Sequence, residues 1–142
     1  MDTTLENLDP VLIESPLGEV QALVEEIEKR HTVRLVREPE VCLTMLRAED
    51  SLDAQEFFLG EALTTSCEVS VDGTAGFGMC LGEEPVRAYC VAVFDALREM
   101  RAIDGALLDT LAQMSARSEE RDRREFAQTL RTQVDFKLLE QE

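Results

Sequence analysis

Apolar residues change their spacing twice along this chain, and the changes mark out its elements. Leu17, Val20, Leu23, Val24 and Ile27 recur at three and four residues, opposite Glu25, Glu26, Glu28 and Lys29. That period predicts a helix to about Arg30 with one face on a core. Ser15 and Pro16 precede it as an N-cap hydroxyl and a proline at the first helical position, where its missing N–H costs nothing. The segment before, residues 1–14, has no clear period and reads as an arm.

From Val33 the period becomes two. The runs VRLV and VCLTMLRA are separated by Arg37-Glu38-Pro39-Glu40, where proline stops ladder pairing and favours a turn. EFFLGEA, TTSCEVSV and TAGFGMCL follow, the last two joined by Asp72-Gly73, the strongest hairpin signal in the chain. A two-residue turn there puts Cys67 and Val69 on the opposite face from Phe77 and Met79. A three-residue loop with Gly73 in the left-handed region pairs Ser70 with Thr74 and gathers Cys67, Val69, Phe77, Met79 and Leu81 on one face. Hydrophobic patterning predicts the bulged loop.

The helical period then returns. Val86, Cys90, Val93, Leu97 and Met100 follow Pro85 and predict a helix ending near Arg101 to Gly105. A third helix is expected over 106–116 and a fourth from Ser118, whose first turn holds Glu119 and Glu120 where the helix dipole favours acids. The fourth is expected to give way to extended chain after about Thr132, since Val134, Phe136 and Leu138 alternate with Asp135 and Lys137. The fold class is α+β: one small antiparallel β-meander with amphipathic helices on one face, one before the sheet and the rest after it. At 142 residues the chain fits one domain, 1–142, able to bury roughly two-thirds of its unfolded surface.

Charge narrows the function. Fourteen Lys and Arg against thirty Asp and Glu give a net charge of −16, a surface that repels nucleic acid and anionic membranes. Met1 to Glu28 carry eight acids and no Lys or Arg, a candidate steering surface for a basic partner or simply a solvated run, whereas Ser115 to Arg131 carry five arginines against four acids. No apolar run spans a membrane and no secretory leader opens the sequence, so the expected compartment is the cytoplasm. Cys42, Cys67, Cys80 and Cys90 are spaced by 25, 13 and 10 residues, matching neither a redox pair nor a zinc site, and read as buried thiols.

The catalytic inventory is thin. His31 is the single histidine and sits at a predicted helix end, where its ring can cap carbonyls. Gly73, Gly76 and Gly78 lie in a hairpin, not between a strand and a helix as a phosphate loop requires, so they are expected to form a bulge or admit a neighbouring backbone. Adjacent carboxylates such as Glu83-Glu84 point in different directions on a helix. These observations stop at a soluble α+β domain with no metal site and no recognisable catalytic set.

Order of residues carries the reading further. Arg37-Glu38-Pro39-Glu40, Leu43, Met45 to Ala48, Phe58-Leu59-Gly60-Glu61, Thr65, Cys67 and Val69 run on through Gly73, Gly76 and Gly82 to Asp95-Ala96-Leu97, with Val134-Asp135-Phe136 near the end. This series resembles the PhnG family, a small subunit of the bacterial carbon-phosphorus lyase core complex. The resemblance implies an accessory, non-catalytic subunit in phosphonate metabolism. With its partners it would support displacement of adenine from ATP by a phosphonate, giving a ribose 1-phosphonate 5-triphosphate. The partners implied are the other lyase subunits, especially the nucleosidase subunit, with ATP and magnesium as substrate of the complex. Arg37, Glu40, Arg47, Gly60, Glu61, Cys67, Gly73 and Asp135 become the partner-interface or family-motif candidates. The chain departs from the family at Ser66, where an Arg is common, and over Gly82 to Tyr89, where Glu83 replaces Arg and Arg87 replaces His.

Two other classes stand beside this reading. A divergent acidic homodimeric module would use a sheet edge or an exposed helix face. An autonomous thiol or carboxylate enzyme would use Cys67 as its nucleophile.

Overall fold

The structure, a computed structural model, describes Glu6 and residues 8–140, with side chains as far as Thr132. The chain divides into two compact units, Met1–Ser15 with Asp104–Glu142, and Pro16–Ile103. Elements run α1 (Leu8–Glu14), α2 (Leu17–Arg30), β1 (Val33–Glu49), β2 (Glu56–Val71), β3 (Thr74–Leu81), α3 (Pro85–Met100) and α4 (Gly105–Glu140). The α+β class and the antiparallel meander hold, with helices before and after the sheet.

The sheet has three strands in the order β1-β2-β3, where five short runs were expected. β1 passes through Arg37–Glu40 without a turn. It is an edge strand, where proline is tolerated, and it absorbs Pro39 through register shifts between Leu35 and Arg37 and between Arg37 and Glu40. β2 likewise runs unbroken past Gly60, φ 147°, with a shift that leaves Leu59 without a direct partner.

The Asp72-Gly73 connection corrects the expected bulged loop. Val71 pairs directly with Thr74, and both central residues have positive φ, 48° and 90°, the signature of a two-residue type I′ turn. Thr65, Cys67, Val69 and Val71 therefore share a face with Cys80, Gly76 and Gly78, while Phe77, Met79 and Leu81 lie on the other. Helix α3 covers the first face. A Cβ at Gly76 would fall 2.2 Å from the Ala92 carbonyl oxygen, and one at Gly78 would fall 2.2 Å from that of Ala88. The helix backbone thus sits where only glycine leaves room, and Ala88, Ala92 and Ala96 are its matching small residues. Phe94, Val93 and Leu97 complete the core with Val20, Val24 and Ile27 of α2.

The Asp95-Ala96-Leu97 and Thr65-x-Cys67 elements acquire structural roles here. Asp95 accepts the outward N–H of Phe77 at 2.9 Å and a guanidinium N–H of Arg98 at 2.6 Å, satisfying a donor on the β3 edge. Thr65, fully buried, donates to the Gly82 carbonyl at 2.6 Å and accepts the Glu84 N–H at 3.0 Å, which ties down the connection into α3.

In the other unit, residues 8–14, expected as an arm, form a helix with Leu8, Val11 and Leu12 buried. It packs on α4, where the Ser118 hydroxyl donates to Glu14 at 2.9 Å. That bond also explains a correction: α4 is one 36-residue helix, not two, because Ser118 turns its hydroxyl to a tertiary partner instead of capping a new start. The helix continues through 133–140, where extended chain was expected; the side chain of Asp135 lies outside the described residues.

Candidate interaction surface

The candidate residues do not converge on one pocket. Gly73 lies in the β2–β3 turn at one end of the sheet, Cys67, Arg37 and Glu40 lie along the middle of the β1–β2 ladder, and Arg47, Gly60 and Glu61 lie near its far end. Arg37 pairs across the strands with Glu68 at 3.3 Å, and its carbonyl oxygen accepts the Cys67 thiol at 3.5 Å. Cys67, Cys80 and Cys90 are buried. Burial pushes all three thiols up, Cys90 to about 11, which suppresses the thiolate a nucleophile requires. Cys42 corrects the expectation of four buried thiols, since it is exposed. In the native protein an alkylating reagent is expected to modify Cys42 first and the other three only on unfolding, as read by peptide mass mapping. Early modification of Cys67 would contradict this packing.

His31 also departs from expectation. Its backbone N–H caps Ile27, but its ring pairs with the Asp72 carboxylate at 2.6 Å, while the Thr32 N–H reaches the second carboxylate oxygen at 2.8 Å. The His31 ring first, then the Thr32 N–H, hold the Asp72 carboxyl below its ordinary value. A depressed carboxylate contributes stability above its unfolded pKa, about 3.9, and loses it as pH falls through the lower folded value. Asp72→Asn keeps the turn geometry, so its small deficit in Tm at neutral pH is expected to vanish in acid below that range. An equal deficit at both pH values would contradict the pairing. Among the described residues no group of three His, Cys, Asp or Glu is placed to hold a metal ion.

The surface that stands out is the far end of the β1–β2 pair. β3 ends at Leu81, opposite Thr64, and beyond it β1 and β2 continue alone to a connection at 50–55. Directly opposed residues share a face, so Leu43, Met45 and Phe58 lie on one side of this ribbon and Leu46 and Phe57 on the other. All are exposed, Leu43 and Phe58 by about three-fifths (62% and 59%). Arg47 spans 5.6 Å to the Phe58 ring and lies 3.7 Å from Glu56. A two-stranded ribbon has little stability of its own in water, and a contiguous exposed apolar patch is the kind of surface that serves interactions. Sequence reasoning placed Arg47, Gly60 and Glu61 here but missed the apolar residues. The signal was Phe57-Phe58-Leu59, three consecutive apolar residues that a strand with one solvated face does not carry.

Of the positions that depart from the family pattern, Ser66 is buried in the sheet, Arg87 is buried with its guanidinium 3.1 Å from Glu84, and Tyr89 donates to Glu28 at 2.7 Å. Glu83, Pro85 and Val86 of the same stretch are exposed. Among the described residues no helix is long and apolar enough to cross a membrane.

Comparison with known proteins shows what the chain is similar to. The family described as phosphonate metabolism protein PhnG matches residues 6–141. The chain is also 34% identical over 127 residues to the alpha-D-ribose 1-methylphosphonate 5-triphosphate synthase subunit PhnG of Rhizobium meliloti (strain 1021), an alignment covering 89% of this chain and 81% of that protein. A match along nearly the whole chain, with motif residues that build the hairpin, the edge cap and the helix seat, settles its membership: the chain belongs to the PhnG family of phosphonate metabolism proteins.

Proposed function

We propose that this chain is an accessory subunit of a carbon-phosphorus lyase complex, supporting transfer of a phosphonate onto the ribose of ATP with release of adenine. The observation that carries the reading is the near full-length similarity to a relative named as a synthase subunit. The chemistry of the described residues agrees with it. The buried thiols are packed, the His31 Nδ1 is paired with Asp72, and the apolar ribbon offers a surface for assembly. ATP and its magnesium enter as substrate of the assembled complex. The nucleosidase subunit is the partner proposed for direct contact, since an accessory subunit acts on the reaction by holding the one that performs it in place.

Co-expression of the tagged chain with the subunits encoded beside it, followed by mass analysis of what is purified, tests the proposal. A stoichiometric complex containing the nucleosidase subunit is the expected result. Recovery of this chain alone, or only as a homo-oligomer, would overturn it.

A further inference from the structure

We infer that the β1–β2 ribbon inserts into a cleft of another subunit, apolar inside and basic at its rim, so that both ribbon faces are covered at once. The inference rests on the accessory-subunit reading and adds the mode of docking and the chemistry of the receiving surface. Its first ground is geometric. Phe57 and Phe58 are adjacent on β2 and project to opposite faces, and both are exposed. A helix or sheet laid on one side would leave the other ring in water, so one flat partner surface does not complete the ribbon.

The second ground is charge. Between Leu43 and Leu63 the sequence holds five acids, Glu49, Asp50, Asp53, Glu56 and Glu61, and one base, Arg47. Arg47 is turned back onto Phe58 and Glu56, so the ribbon presents an apolar body edged with negative charge. A second copy of this chain is a poor occupant, since it carries the same ribbon and the same −16 overall. Two arginines of its α4 are engaged within that helix, Arg123 near Glu119 and Glu120, Arg124 with Glu120. A heterologous cleft with a basic rim matches both the shape and the sign.

The test uses the full chain co-expressed with the other subunits, comparing wild type with Phe57→Ser, Phe58→Ser and the triple variant Glu49→Gln/Asp53→Asn/Glu61→Gln. Each phenylalanine variant is expected to lower recovery of the partner on the order of tenfold or more. Its isolated thermal midpoint should stay near wild type, because both rings are already exposed. The triple variant, which alters no apolar contact, is expected to associate more slowly and to lose most of the salt dependence of association. If the wild type recovers no subunit, the accessory reading itself fails. If it recovers them and both phenylalanine variants do so equally, the ribbon is not the docking element and this inference alone is overturned. Loss with only one of the two rings would show a single covered face and refute the cleft. Unchanged salt dependence in the triple variant would refute the basic rim, and a ribbon-dependent homodimer would replace the partner by a second copy.

Discussion

Gly78→Ala is expected to destabilise the protein by more than about 3 kcal/mol, a fall in Tm of more than about 10 °C. The added methyl would lie 2.2 Å from the Ala88 carbonyl oxygen and 2.4 Å from the Ala92 nitrogen, both helix backbone atoms that no rotamer change can move aside. Relief requires lifting α3 off β3, which opens the buried layer formed by Val69, Cys67, Val93 and Leu97. The control is Gly18→Ala, where nothing lies within 4 Å of the new methyl; on the helix of α2 it is expected to be neutral or stabilising by up to about 1 kcal/mol. Thermal or denaturant unfolding of the two variants checks the pair. Equal effects would contradict the close seating of helix on sheet.

Thr65→Val is expected to be the most disruptive change that preserves shape, costing about 2–4 kcal/mol. Valine fills nearly the same volume but can neither donate to the Gly82 carbonyl nor accept the Glu84 N–H. Those two backbone groups fix the path from β3 into α3, and leaving a buried polar group without its partner costs more than the bond contributes. Thr65→Ser keeps both bonds and is expected to retain most of the lost stability. A valine variant as stable as the serine one would show that the hydroxyl does not hold this connection.

These two positions also show where the sequence was legible and where it was not. The period of Val86, Cys90, Val93, Leu97 and Met100 behind Pro85 located α3, and Asp72-Gly73 located the hairpin. The register of that hairpin was misread because patterning assumes that large apolar residues face the core. Here the core face of β3 carries Gly76 and Gly78 beside Cys80, since the helix comes too close at the two glycines for anything larger, and Phe77 and Met79 are turned outward. The break expected at Pro39 failed for a related reason: an edge strand can bulge around a proline that a central strand could not hold. The division expected at Ser118 needed knowledge of a distant partner, Glu14, which lies 104 residues away in the chain.

The candidate site was partly legible. The ordered motif located the residues, but the resemblance alone gave them no division of labour. Thr65, Gly76, Asp95 and Ala96 prove to be framework, holding the helix and the sheet edge, and Cys67 is packed among them. Arg47, Gly60 and Glu61 belong instead to the projecting ribbon, whose apolar faces declare themselves only when strand pairing shows that β3 stops short of them.

In the proposed function this chain supports the synthase reaction without performing it. Adenine release from ATP and methylphosphonate should be measured with the complete set of purified subunits, with the set lacking this chain, and with this chain alone. Turnover by the complete set, with turnover lost or strongly reduced when this chain is left out and none from this chain by itself, is the predicted result. Adenine release by the isolated chain, or undiminished turnover without it, would contradict the claim.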